Sequence, residues 1–121
     1  MATIKEGLQK LGEVDGFIGA CVVDSNSGMM LGSEGGGGVI NLEVAAAGNT
    51  EAVPAKRKTM SSLNLKDAIE DILISLNRQY HLIRPVEKKD GFFIYLVVDR
   101  GRSNLAMARH VLADVEKGLS I

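Results

Sequence analysis

The chain has 121 residues, 45% of them hydrophobic and 24% charged, a balance ordinary for folded proteins and far from that of disordered ones. With 14 Lys and Arg against 15 Asp and Glu, the formal net charge is -1, which argues against a generally basic nucleic-acid binder or membrane-surface protein. One domain spanning residues 1–121 is expected at this length.

Thr3-Ile4-Lys5-Glu6 has the form of a capping box, and Ile4, Leu8 and Leu11 follow as one apolar stripe, so a short amphipathic helix is expected to end near Gly12. Lys5, Glu6 and Lys10 rule this segment out as a signal-peptide core, and no apolar run approaches the ~20 residues that span a bilayer. The lone Cys21 cannot form an internal disulfide, so a cytoplasmic location without membrane insertion is expected. Gly16 to Asp24 is an apolar run of strand length, closed by Asp24-Ser25-Asn26-Ser27-Gly28, and Met29 to Gly32 reads as the returning strand of a hairpin.

Gly32 to Gly38 contains four consecutive glycines, which lose too much entropy on ordering to form a regular element; a flexible loop is expected. Ile40 and Asn41 have the form of a staple and N-cap for a second helix, whose apolar side carries Leu42, Ala45 or Ala46, Val53 and Met60, with Asn49 on the same stripe. Pro54 has no amide hydrogen and would meet the Thr50 carbonyl, so this helix should kink or break there. Lys56-Arg57-Lys58 follows on its exposed side.

From Ala68 onward the pattern changes to strands: Ile69 to Leu76, a turn at Asn77-Arg78-Gln79, Tyr80 to Val86, a turn at Asp90-Gly91, and Phe92 to Val98. Phe92 to Val98 is apolar on both alternating faces and should lie centrally between covering helices. A last helix is expected to start at Ser103, to carry Leu105, Ala108, Val111 or Leu112, and Val115 on one stripe, and to end at Gly118. The order α-β-β-α-β-β-β-α, with short turns between strands, describes an α+β fold on an antiparallel sheet.

This order, together with Gly16-Phe17-Ile18-Gly19-Ala20-Cys21-Val22-Val23-Asp24, Gly28-Met29-Met30-Leu31-Gly32, the Ala-rich helix from Asn41 and the run Tyr80-His81-Leu82-Ile83-Arg84-Pro85, resembles the Roadblock/dynein light chain family. The resemblance covers nearly the whole chain. It implies a profilin-like, five-stranded antiparallel sheet with the middle helix on one face and the two terminal helices on the other. It also implies a non-catalytic homodimer paired through the middle helix and the third strand. The stripe of Leu42, Ala45, Ala46, Asn49 and Val53 reads by its pattern alone as ordinary core, and with the resemblance as a dimer seam, completed by Ile72 and Ile74. Some members of the family regulate small Ras-like GTPases, including bacterial polarity GTPases, and others are dynein light chains. Pro54, inside the expected interface helix, departs from the family pattern.

Catalytic and cofactor chemistry finds little support. No Lys-Ser or Lys-Thr follows Gly38, so the glycine loop lacks the cation of a phosphate-binding loop and reads as a connector. Cys21 lies inside an apolar strand with no base beside it, and His81 and His110 lack metal-ligand spacing. Asp24 and Asp99, which end two strands that the resemblance places side by side, read as turn formers, and Glu70-Asp71 as a solvated strand start. Lys56, Arg57 and Lys58, and Arg100 with Arg102, lack the interleaved aromatics of a nucleic-acid surface, leaving a solvated face or partner docking. The low aromatic content, 4% with no Trp, favours self-association as a source of burial. An Asn49 at the centre of the seam would set its register. The expected function is a non-enzymatic homodimeric regulator or scaffold acting on a small Ras-like GTPase, with no metal, cofactor or nucleic acid. The alternatives are a ligand sensor or enzyme with a pocket near the glycine loop, and a structural subunit of a larger assembly.

Overall fold

The Thr3 hydroxyl accepts from the Glu6 amide at 3.1 Å and the Glu6 carboxylate accepts from the Thr3 amide at 3.0 Å, so the first helix starts with two otherwise orphaned donors satisfied. In the computed structural model, which describes residues 2–121, this helix is α1 (Ile4–Leu11). A hairpin of β1 (Phe17–Asp24) and β2 (Met29–Gly35) follows, then α2 (Leu42–Asn49) and α3 (Ala52–Ser62). The chain closes with β3 (Ile72–Ser75), β4 (Gln79–Pro85), β5 (Phe92–Asp99) and α4 (Leu105–Gly118). The strands form one five-stranded sheet in the order β2-β1-β5-β4-β3, every pairing antiparallel.

Alternation along the central strands divides the core in two. Ala20, Val22, Leu82, Ile94, Leu96 and Val98 meet Leu8 and Leu11 of α1 and Ala108, Leu112 and Val115 of α4. On the opposite face, Cys21, Val23, Ile83, Phe93, Tyr95 and Val97 meet Leu42 and Ala46 of α2 and Val53 of α3. Both faces of β5 are buried, as its continuous apolar sequence requires. A buried ion pair ties α4 to the sheet: Arg84 Nε donates to Glu116 Oε1 at 2.9 Å, and Glu116 Oε2 accepts the Glu87 amide at 3.3 Å.

The middle helix is interrupted, although Thr50 and Glu51 at the junction keep right-handed helical dihedrals. α2 ends at Asn49 and α3 begins at Ala52, which puts Pro54 in the first turn of α3, where its missing N–H has no intrahelical acceptor to lose. Thr50, four residues before the proline, falls in the break.

Other boundaries differ from expectation for local reasons. β2 runs on to Gly35, taking in half of the expected loop: Gly32 pairs with Val22 and lies under α1, where a Cβ would be 2.9 Å from Ile4 Cγ2 and 3.1 Å from Leu8 Cδ1. That glycine is what lets α1 approach β2. Gly32→Val is expected to cost about 1–3 kcal/mol of unfolding free energy, read by urea titration, through displacement of α1.

β3 starts at Ile72 and not at Ile69. Extending the β3–β4 register from Ile72 opposite Ile83 would bring Glu70 opposite Pro85, which has no N–H to continue the ladder. Asp71 is not a solvated strand start; its carboxylate receives Arg109 at 2.6 and 3.1 Å and its side chain is only 9% exposed. Asn104 caps α4 by accepting the Met107 amide at 3.1 Å, while the Ser103 hydroxyl is buried without a hydrogen-bond partner. The strands that Asp24 and Asp99 end are neighbours, as expected, but their antiparallel pairing puts Asp24 opposite Phe92 and leaves Asp99 opposite Gln79 of β4, so the two carboxylates lie at opposite ends of β5. Each shapes a turn, Asp24 accepting the Asn26 amide and Asp99 those of Gly101 and Arg102.

Candidate functional site

β2 and β3 are the two edges of the sheet. β3 is the shorter edge, and its Ile72 packs partly against the α2–α3 side of the core while Ile74, on the same face, is 41% exposed. Beside it, Ala52, Lys56 and Met60 of α3 and Leu65, Ile69 and Ile72 line an open hollow of about 620 Å³. Leu65, which also lines the hollow, and Leu76, just after the strand, are exposed too. An unpaired strand with apolar residues standing along it is a template for pairing with another chain.

The residues singled out from the sequence divide into two groups here. Leu42, Ala46 and Val53 turn inward and are spent in the chain's own core, at 7%, 0% and 5% exposure. Ala45, Asn49 and Ile72 are half-buried, and Ile74 is exposed. The outer side of α2 is nonetheless apolar: Val44 is 67% exposed and Glu43 is the helix's only charged residue. Asn49 is the last residue of α2 and lies close to the Tyr95 hydroxyl, so it does not stand at the centre of a continuous stripe. Lys56, Arg57 and Lys58 are exposed on α3, with Arg57 reaching Asp90 at 3.3 Å in a surface pair of small energetic worth.

Sequence reasoning missed a polar chain beneath this face. The Tyr95 hydroxyl lies 2.7 Å from His81 Nδ1, and His81 Nε2 lies 2.8 Å from Gln79 Oε1. With the Gln79 carbonyl oxygen as acceptor, Nε2 carries the proton and Nδ1 accepts from the tyrosine. Only the β4–β5 register, which sets Ile83 opposite Tyr95 and His81 opposite Val97, makes these side chains diagonal neighbours. Burial pushes the Tyr95 hydroxyl up to about 12, against a lowering contribution from Asn49. Burial also lowers the His81 pKa below its ordinary value. The unfolded chain therefore takes up a proton near pH 6.5 before the folded one does, and His81 costs stability as pH falls below that value. Urea titrations at pH 7.5 and 5.5 should show His81→Gln losing less stability on acidification than the unaltered chain.

Cys21 is fully buried opposite Tyr95, and burial raises its thiol to about 12, which favours the neutral thiol over the reactive thiolate. The tip of the glycine loop is open: a Cβ added at Gly37 or Gly38 meets nothing within 4 Å. Among the described residues no group of three or more His, Cys, Asp or Glu converges to hold a metal ion, and no helix is long and apolar enough to cross a membrane.

No protein-family model matches the sequence, and no curated protein is similar to it. Solved structures are. A Roadblock/LC7 domain from Streptomyces avermitilis superposes with a TM-score of 0.76 at 12% identity, over 90% of this chain and 87% of that one. The fold is of the Roadblock/LC7 type. MglB from Myxococcus xanthus aligns over 92% of this chain and 83% of its own, with a TM-score of 0.74 and 13% identity. The gliding protein MglB from Thermus thermophilus gives 0.70 at 15% identity, over 94% and 88% of the two chains. At such identities the likeness is one of backbone path, and a Roadblock fold accounts for the sheet, for the middle helices on one face and for α1 and α4 on the other.

Proposed function

We propose that residues 1–121 act as one Roadblock-type module: a non-catalytic homodimer in the cytoplasm that presents a joint sheet-and-helix surface to a small Ras-like GTPase or a similar nucleotide-switch protein. The observation that carries this reading is the β3 edge, where an unpaired strand, the exposed Ile74 and the hollow beside α3 leave apolar surface that a second copy would cover. The Roadblock fold and the resemblance noted in the sequence support a GTPase as the class of partner.

Regulation by this module would act by ordering the partner's own switch segments. Lys56, Arg57 and Lys58, exposed on α3, would meet an acidic partner surface. Hydrolysis and nucleotide exchange by Ras-like GTPases, measured with and without this protein, test the reading. A changed rate or a stable complex is expected; no effect on hydrolysis, exchange or binding would remove the GTPase from it.

A further inference from the structure

The open edge of β3 has a chemical direction. Just before the strand lie Asp67, Glu70 and Asp71; just after it come Arg78, in the β3–β4 turn, and Arg100, whose amide donates to the Arg78 carbonyl at 2.9 Å. Asp71 is already held by Arg109, and Arg100 reaches the Leu76 carbonyl at 3.0 Å and stacks on Tyr80. Glu70 and Arg78 are exposed, and among the described residues neither makes an ion pair. The strand is thus acidic where it enters and basic where it leaves. Two copies laid antiparallel along this edge bring unlike ends together, whereas a parallel arrangement brings like charges together.

Backbone geometry narrows the register. The Leu76 amide donates to the Gln79 carbonyl at 2.9 Å, so alternation turns the backbone groups of Ile74 and Ile72 toward β4 and leaves those of Leu73 and Ser75 free on the outer edge. Any antiparallel self-pairing centred on a residue satisfies this phase, and the two centred on the inner residues of β3 overlap the strand most fully. One centres on Leu73 and sets the exposed Leu76 against the carboxylate of Glu70 in the second copy. The other centres on Ile74. It stacks Ile74 on its own counterpart, places Ile72 opposite Leu76 of the second copy, and brings Glu70 level with the turn that holds Arg78. All of these side chains stand on the α2–α3 face, because Ile72 packs there and strand alternation carries Ile74 and Leu76 with it.

We propose that β3 pairs with β3 of a second copy in the register that places Ile74 on the twofold axis, locked by two symmetric ion pairs between Glu70 of one copy and Arg78 of the other. This inference rests on the homodimer proposed above and adds its register and its electrostatic lock. The contact is isologous, so both partners of the lock are present in every chain and a single gene product specifies the pairing.

Sedimentation equilibrium on the full chain tests the lock. Glu70→Arg and Arg78→Glu are each expected to raise the dimer dissociation constant at least tenfold, and the double variant to return it to within threefold of the unaltered protein. Added salt should weaken the unaltered dimer and the double variant alike. Cross-linking tests the register independently. Ile74 faces its counterpart in a non-hydrogen-bonded pair with Cα atoms about 4.5 Å apart, within disulfide reach, whereas Leu73 does not meet its own counterpart. Ile74→Cys should therefore link into covalent dimers under diamide, at least ten times faster than Leu73→Cys; the buried Cys21 does not compete. A double variant no tighter than the single ones, or faster linking through Leu73→Cys, would overturn the inference while leaving the dimer standing. An unaltered protein that sediments as a monomer would overturn the dimer itself.

Discussion

Glu116→Ala is expected to lower the unfolding free energy by about 3–5 kcal/mol, a large share of the stability of a domain this size. The side chain of Glu116 is 3% exposed and that of its partner Arg84 8%, and the carboxylate also receives the Glu87 amide. Removing the carboxylate strands a nearly buried guanidinium inside the sheet–α4 layer without the one ion pair it makes among the described residues. The double variant Arg84→Met/Glu116→Leu should recover most of the loss, because an apolar pair of similar volume avoids both desolvation costs. Urea titration of the three proteins checks both statements. If Glu116→Ala unfolds at the same denaturant concentration as the unaltered chain, the ion pair does not anchor α4.

Ile74→Lys is expected to have the largest effect on assembly, raising the dimer dissociation constant at least a hundredfold while leaving the fold of each copy intact. A lysine on an edge strand is a device by which sheets avoid pairing, and on the proposed twofold axis the substitution sets two ammonium groups against each other. Ile74 is 41% exposed within the single chain, so little core is lost. Ile74→Val keeps an apolar branched side chain at the same place and should remain dimeric. Sedimentation equilibrium separates the two variants, and circular dichroism confirms that both are folded. A dimeric Ile74→Lys would move the interface away from β3.

The architecture was largely legible in the sequence because its signals are local. The capping box at Thr3 and Glu6, the doubly apolar run from Phe92 and the proline at position 54 each act within one turn or one strand, and each has the expected consequence. Features that depend on pairing were not legible. The late start of β3 comes from where Pro85 falls opposite it, and the Tyr95–His81 contact from the β4–β5 register. Glu116 reads as one more polar position of α4 until Arg84 is seen beneath it, 32 residues away in the chain.

The seam stripe shows a similar limit. Period 3.6 identified the apolar side of the middle helix, yet it cannot say whether that side meets its own sheet or another molecule. Leu42, Ala46 and Val53 meet the sheet. The β3 edge, whose exposure follows only from strand order, is one of the surfaces that remain open.

The gap between α2 and α3 also divides the thermodynamics of that layer. Helical cooperativity propagates through consecutive i→i−4 hydrogen bonds, and the gap interrupts the sequence of bonds at Thr50 and Glu51. Across its 11 residues α3 buries only Val53, so it has little to hold it when neighbouring segments stay folded. The helix is then a small unfolding unit of its own, able to melt and reform while the sheet and α4 remain in place. Its amides should exchange with solvent orders of magnitude faster than those of β5, and a ligand seated on α3 would be sensed first as slower exchange there.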